Sequence, residues 1–282
     1  MSPDSVRAFC RRILARGDLE AKLAAPVLDG GGALDDRDPG PALWLAAPAR
    51  DPELCMRGGA ERLPAPGSLR DPTARARCLA RFAHHELMAV ELFAWALLRW
   101  PRVPSGLRRA WLGALADEQR HFRLYEERLR AHGSDLRDHP RSDYFWRQAS
   151  AIAASPHGPR AFLCAMGLTL EQANLDFSLL YRDAFRAAGD EASARVCQVV
   201  HDDEVGHVRL AAHWLPRLHG GRGDAVARYE EAVPFPLSAS RAKGRRFDAA
   251  SRLRAGLDPA FVTHVRDARS TQQPRSWPPT RS

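Results

Sequence analysis

No stretch of this chain is both apolar enough and long enough to cross a bilayer. The longest candidate, residues 87–98, is interrupted by Glu91 and falls short of the roughly 20 apolar residues that a spanning helix needs. The first twenty residues carry basic side chains but no uninterrupted apolar core, so a secretory leader is not expected. Cysteine is scarce and scattered. Cys10, Cys55, Cys78, Cys164 and Cys197 are odd in number and contain no C-x-x-C pair, which argues against a thiolate metal site or a disulfide framework. Reduced structural thiols in a cytoplasmic protein are the expectation. Lysine is almost absent: Lys22 and Lys243 are the two lysines among 42 basic residues. With abundant Ala, Gly and Pro, that bias points to a GC-rich coding sequence and not to a function. The net charge of +8 is unevenly placed. Residues 220–282 hold twelve basic against six acidic side chains, whereas residues 1–70 balance at ten and ten. A basic tail of this kind is read first as a solvated surface, with a polyanion site as the competing reading.

Helix-forming sequence dominates what is present. Residues 23–70 are rich in Pro and Gly without a helical period, and read as an irregular arm able to drape over a core through Leu43, Trp44 and Leu45. From Asp71 onward, four long segments rich in Ala, Leu, Arg and Glu follow, each ended by a breaker. The first is expected from about Pro72 to Trp100, stopping at Pro101, and the second from about Pro104 to His132, stopping at Gly133. The third should run from about Pro159 to Ala188 and end at Gly189. The fourth is capped by Asp190 and continues to about Leu215, where Pro216 and then Gly220 and Gly221 break it. Such rods are roughly 40 Å long. Short links make the first two and the last two antiparallel hairpins. The connection over residues 133–158 is long enough to travel the length of the bundle, with Asp143-Tyr144-Phe145-Trp146 as its anchor. Two hairpins joined by one long crossover is the connectivity of an all-α, ferritin-like four-helix bundle. The chain thus divides into an N-terminal arm (1–70), a bundle (71–219) and a basic C-terminal extension (220–282).

The second and fourth helices each contain Asp-Glu-x-x-His: Asp117-Glu118 with His121, and Asp203-Glu204 with His207. Glu and His three apart share a helix face, so both can reach one metal ion. One such pair is weak evidence; two in corresponding helices are strong. The first and third helices each supply acid-x4-acid, Glu86 with Glu91 and Glu171 with Asp176. The spacing between halves agrees: 85 residues separate Glu86 from Glu171 and Glu91 from Asp176, and 86 separate Glu118 from Glu204 and His121 from His207. An internal duplication of a helical hairpin accounts for this register. Four carboxylates and two imidazoles directed inward are the ligand set of a di-iron or di-manganese bundle. Their four negative charges would neutralise two divalent ions, whereas without metal a buried carboxylate cluster must hold protons instead. Oxygen and imidazole donors without thiolate favour iron or manganese over structural zinc.

The first helix offers two acids for one ligand position. Five residues turn a helix by about 140°, so Glu86 and Glu91 cannot both point inward; Glu86 mirrors Glu171 and is preferred. Glu91 and Asp176 then stand behind the ligands or along a substrate channel. Asp117 and Asp203 are expected to orient the two histidines by accepting their outer ring N–H, each across the pseudo-twofold axis. His84, His85, His201 and His213 lie on the same helices, where surface or interhelix hydrogen bonds are the simpler reading even for His85 beside Glu86. For Tyr125, Tyr181 and Trp95 ordinary packing is preferred to a redox role.

The runs FAHHELMAVELFAWALLRWP, LADEQRHFRLYEERL, DYFW, LTLEQANLDFSLLYRDAFRAAGD and DDEVGHV followed by HWL resemble the ferritin-like family catalogued as domain of unknown function 455, over about residues 70–220. The later run FPLSASRAKGRRFDAASRLRAGLDPAFV is similar to that family's C-terminal extension, and residues 1–70 lie outside the resemblance. It implies a ferritin-like fold and a two-metal site at Glu86, Glu118, His121, Glu171, Glu204 and His207, and leaves the reaction open. More distantly, the order Glu, E-x-x-H, Glu, E-x-x-H is similar to rubrerythrins, ribonucleotide reductase small subunits, bacterial multicomponent monooxygenases and the tRNA-modifying hydroxylase of the same fold. A shared fold does not transfer a substrate.

The leading expectation is an enzyme: a di-iron or di-manganese oxidoreductase that uses O2 or peroxide to oxidise or hydroxylate a small organic substrate. In it Glu118 and Glu204 bridge or chelate, Glu86 and Glu171 are terminal carboxylates, and His121 and His207 each hold one ion. It calls for an apolar or mixed pocket leading to the metal pair, and for a monomer or small homo-oligomer. Nothing names its electron donor, and no membrane partner is expected. A ferroxidase or iron-handling subunit is the alternative. An RNA-associated, tRNA-modifying hydroxylase is a further one, drawing on nucleic-acid contacts through the Arg-rich segment from Arg241 to Arg254.

Overall fold

The computed structural model describes residues 4–28, 31–58, 62–221 and 223–270; parts of the expected N-terminal arm and the last twelve residues of the basic extension lie outside them. The described chain is all-helical. Two isolated bridges, Ser5 with Asp35 and Val27 with Ala33, are its extended pairings. Among the described residues no helix is long and apolar enough to cross a membrane. The five cysteines are free thiols, buried apart from Cys55.

Two short helices begin the chain, α1 (Val6–Ala15) and α2 (Leu19–Leu23), capped by the side chains of Ser5 and Asp18. The long helices follow: α3 (Pro72–Arg99) with Asp71 as its cap and Pro72 in its first turn, and α4 (Ser105–Ala131). A glycine is required just beyond α4, where Gly133 takes φ +70° and turns the chain out of the helix. The crossover contains α5 (Ala149–Ala154). The expected third helix is interrupted. It consists of α6 (Pro159–Ala165), a π-helical turn over Met166–Glu171, and α7 (Gln172–Ala187). A π turn carries one extra residue, and here it ends on Glu171. Gly167, inside it, lies against the next helix so closely that a Cβ there would stand 2.3 Å from the Cβ of Ala211. The fourth helix, α8 (Glu191–Leu218), starts at the Asp190 cap and runs past Pro216 instead of stopping before it. The chain closes with α9 (Ala225–Ala232), α10 (Ala249–Arg254) and α11 (Pro259–Asp267).

Helices α3 and α4 pack along one another, as do α7 and α8, and α4 meets α8 between the hairpins. The N-terminal residues are integral to this core. Phe9, Cys10, Ile13 and Leu14 of α1 are buried in the cluster that contains the C-terminal half of α3, and α1 packs on α3. The proline-rich arm drapes over the same helix: Leu43 N donates to Leu98 O (3.0 Å), Trp95 Nε1 donates to Leu45 O (3.1 Å), and Trp44 meets the Trp95 ring edge-on at 5.9 Å.

Glu91 and Asp176, expected behind the ligands or along a channel, do something else. Glu91 is fully buried: Lys22 lies 2.9 Å from it, Arg50 donates to both of its carboxylate oxygens (3.0 and 2.7 Å), and Trp146 Nε1 donates to it at 2.9 Å. It thereby ties the N-terminal arm and the crossover to α3. Asp176, at the matching position of α7, is held by two nitrogens of the fully buried Arg252 (2.7 and 2.9 Å) and by the backbone N–H groups of Gly244 and Asp248. It ties the C-terminal extension down. The physical reason is that five residues along a helix rotate the second acid away from the first, onto faces that the two extensions cover.

Removing one partner of a buried ion pair leaves a charge without compensation. Arg252→Ala should therefore lower unfolding free energy by about 3–5 kcal/mol, whereas Arg246→Ala, at an exposed pair with Asp183, should cost less than about 1 kcal/mol. Denaturant unfolding of both variants checks this, and equal losses would contradict the anchoring role of Arg252.

Candidate metal centre

Glu118 and His121 project from one face of α4, Glu204 and His207 from one face of α8, Glu86 from the middle of α3, and Glu171 from the end of the π turn. The six side chains converge. Glu86, Glu118, His121 and Glu204 form one group, and Glu118, Glu171, Glu204 and His207 a second, with candidate ligand atoms in each within 4.8 Å of one another. Glu118 and Glu204 belong to both. All six residues are buried.

The inner nitrogen of each imidazole faces the carboxylates. His207 Nδ1 lies 3.0 Å from Glu118 Oε1, 3.0 Å from Glu171 Oε2 and 3.4 Å from Glu204 Oε2, and His121 Nδ1 lies 3.4 Å from Glu118 Oε2. The outer nitrogens are held across the hairpins. His121 Nε2 of α4 meets Asp203 of α8 at 3.1 Å, and His207 Nε2 of α8 meets Asp117 of α4 at 3.4 Å. Arg120 bridges the two aspartates, at 2.7 Å from Asp203 and 3.2 Å from Asp117. A carboxylate on the outer nitrogen directs the inner lone pair toward the cluster.

Two observations test whether a metal pair suits these residues. Glu118 Oε1 and Glu204 Oε2 are buried without a well-formed hydrogen bond, although buried polar atoms ordinarily find one; both face the same nitrogen, His207 Nδ1, at 3.0 and 3.4 Å, and one N–H cannot serve them and Glu171 together. The donor set is also right: oxygens and imidazole nitrogens without sulfur suit divalent iron or manganese. The residues fit.

Without metal the cluster must keep protons. Burial, then the charge of Glu118, holds the Glu86 carboxyl well above its usual range; burial and the charge of Glu171 do the same for Glu204. Burial would also raise Glu118, but the hydrogen bonds and charges of His121 and His207 outweigh it and draw that carboxyl down. Burial opposes charge on the histidines, yet His207 is held well above its ordinary value by the charge of Glu171 and hydrogen bonds to Asp117, Glu118 and Glu171. His121 is raised to about 9, mainly through its hydrogen bonds to Asp203 and Glu118.

A cavity of about 590 Å³ reaches Glu86, Glu118, Glu171 and Glu204. Neither Glu91 nor Asp176 lines it. On the opposite side Phe93, Phe162 and Met166 pack closely, leaving a void of about 10 Å³ beside Glu171 and His207. His85 does line the cavity, stacked on Phe145 at 5.1 Å, and burial followed by the charge of Arg81 depresses it to about 3, so its ring is neutral. His84 hydrogen-bonds Ser142 O, and His201 lies between Ser178 and Ser251. Tyr181 donates to Pro64 O, and Tyr125 packs on Phe82 at 5.2 Å. One site residue escaped the motifs. Asn174 donates to Glu204 Oε1 at 2.7 Å and lines the cavity; its place three residues after Glu171, on the same helical face, was the available signal.

The sequence profile of the family described as protein of unknown function (DUF455) matches residues 15–263. The chain belongs to that family. The match reaches back into the N-terminal arm, so most of the segment that the quoted motifs leave outside is part of the DUF455 unit, in keeping with its burial against α3. An uncharacterized protein from Haemophilus influenzae is similar, at 28% identity over 166 residues, covering 56% of this chain and 57% of the relative. The matched region therefore spans little more than half of that relative. No solved structure matches this DUF455 chain.

Two outcomes follow for the cluster. The stability that His121 and His207 lend the metal-free fold is complete below the ordinary histidine value and is lost as pH rises toward their raised values; the raised Glu86 and Glu204 weaken that fold as pH climbs past the ordinary carboxyl value. Bound ions require all four deprotonated. The difference in Tm between metal-loaded and metal-free protein should thus widen from about pH 6 to about pH 9, and calorimetry showing it constant or shrinking would contradict the assignment. Asp203→Asn should weaken metal affinity by about 10- to 100-fold, read by chelator competition; an unchanged affinity would remove Asp203 from this role.

Proposed function

We propose that this chain is a ferritin-like four-helix bundle with a di-metal carboxylate centre, and that it oxidises or hydroxylates a small organic molecule with O2 or peroxide. The observation that carries this reading is the cavity that ends on Glu86, Glu118, Glu171 and Glu204. Two hairpins joined by a long crossover, with inward Glu and E-x-x-H pairs, are the arrangement of such bundles. Two bound iron or manganese ions would supply the electrons and Lewis acidity for the chemistry.

The protein's own contribution is to bind, orient and keep water out. Glu118 and Glu204, common to both ligand groups, would be shared between the ions. Glu86 and Glu171 would each complete one side, and His121 and His207 would each offer Nδ1 with Nε2 held by an aspartate. Asn174 restrains Glu204 by a hydrogen bond to Oε1. The aromatic packing of Phe93 and Phe162 beside Glu171 and His207 closes that flank of the cluster to water, whereas the cavity on Glu86, Glu118, Glu171 and Glu204 has room for a substrate.

The iron-storage alternative has less to recommend it. Leu63 of the arm and Pro236 and Arg241 of the C-terminal extension line the cavity, which suits a covered substrate pocket better than a route passing iron onward. For the RNA-associated alternative, Arg252 is buried against Asp176, which removes one of the five arginines between 241 and 254 from a polyanion surface.

Protein purified without added metal should contain about two ions per chain, with most of the metal lost in Glu118→Ala or Glu204→Ala. The reduced form should consume O2 without accumulating many irons per chain. Elemental analysis, oxygen uptake and size measurement together check this. Full occupancy in the Glu118→Ala/Glu204→Ala double variant would sink the metal assignment, and a closed many-subunit shell that loads iron far beyond two per chain would replace the oxidase with storage.

A further inference from the structure

The cavity beside the glutamates has a charge pattern that metal binding does not require. Its acidic lining residues are those four glutamates, whereas Arg81, Arg147 and Arg241 line it as well. The three arginines come from separate parts of the chain. Arg81 lies on α3, about 7 Å along the axis from Glu86. Arg147 belongs to the short turn Trp146–Gln148 of the crossover, and Arg241 to the turn Ala239–Arg241 of the C-terminal extension. The glutamates are buried, whereas Arg147 and Arg241 are exposed, so the cavity has an acidic inner end and a basic mouth. Arg147 is tied to Asp143 at 2.9 Å, outside the cavity lining, and its guanidinium lies 5.8 Å over Tyr144. Among the described residues no carboxylate pairs with Arg241. Between the two ends Phe82, Phe145, Phe177 and Leu170 contribute apolar wall.

We infer that this cavity binds an organic anion, with a carboxylate or phosphate head group at Arg147 and Arg241 and an aromatic or aliphatic body extending to the glutamate cluster. This rests on the di-metal reading only for which end of the molecule reacts. Guanidinium groups pair strongly and directionally with such head groups. A volume of about 590 Å³ falls within the range of sites for small molecules. Charge also sets the orientation. Reversed, the head group would leave the guanidinium field for four carboxylates whose charge cancels that of any two divalent ions they hold, while an apolar body would sit at the wet, charged mouth. Arg241 brings the C-terminal extension into substrate recognition, and the Asp176–Arg252 anchor holds that extension in place.

The test is calorimetric titration of the full chain, as purified without added metal, with 4-phenylbutyrate, 4-phenylbutyl phosphate and 4-phenylbutanol, which share one body and differ in the head group. At least one anion should bind about tenfold or more tightly than the alcohol, and the comparison of acid with phosphate identifies the preferred head group. Arg241→Gln and Arg147→Gln, both at exposed positions, should each weaken that anion about fivefold or more and leave the alcohol within about twofold. Equal affinity for all three probes overturns the inference, as does an anion preference that survives both substitutions. Metal content and O2 uptake, measured on the same preparations, separate this from the oxidase reading. Anion preference in a chain that holds no metal retires the oxidase and supports the anion site; two metals and O2 uptake without the preference do the reverse.

Discussion

Carboxylates buried in an apolar helical interior have to be neutralised, and the arrangement of this molecule follows from how that is done. An ionised carboxylate without compensation costs far more than a domain's net stability allows. In the central cluster compensation is local and exchangeable. Protons stay on Glu86 and Glu204, and His121 and His207 are drawn toward their charged forms beside Glu118. Protons that are held this way can be displaced by divalent ions, and the same groups then become ligands. Asp117 and Asp203, outside the cluster and bridged by Arg120, fix which imidazole nitrogen faces inward.

The same rule has a different solution one and a half turns further along α3 and α7. Glu91 and Asp176 are equally buried, but basic side chains from distant segments neutralise them: Lys22 and Arg50 for the first, Arg252 for the second. These cations come from opposite ends of the chain. Each helix with two acids therefore divides them between two tasks, one acid serving the cluster and the other holding down an extension. The crossover joins this arrangement through Trp146, whose indole N–H reaches Glu91. The extensions are part of the folded unit for electrostatic reasons as well as for the apolar contacts of α1.

The two hairpins, alike in ligand register, differ where the cavity and the surface require it. The position of Ala89 in the first half is taken by Asn174 in the second, whose amide binds Glu204. The position of Arg120 is taken by Gly206, so one guanidinium serves both outer aspartates. The π turn occurs in the second half and ends at Glu171. Duplication accounts for the paired ligands, and departures from it for the shape around them.

Much of this is legible in the sequence. The four long helices were bounded by Pro72, Pro101, Pro104, Gly133, Pro159, Gly189 and Asp190, because capping and helix breaking are local effects of single residues. The convergence of Glu86, Glu118, His121, Glu171, Glu204 and His207 was legible because two E-x-x-H pairs and a repeat of 85 or 86 residues constrain a helical hairpin strongly. The π turn was not, since its geometry depends on the fit of Gly167 against Ala211 in another helix. Nor was the fate of Glu91 and Asp176. Their acid-x4-acid patterns are the same as a channel acid would show, and their partners lie 41 and 76 residues away. The cavity wall likewise draws on α3, the crossover, the π turn with α7, and the C-terminal extension. Local propensity and periodicity are written along the chain and can be read there. Which distant cation closes on which buried acid is decided when the segments meet, because only packing determines which charges lose their water.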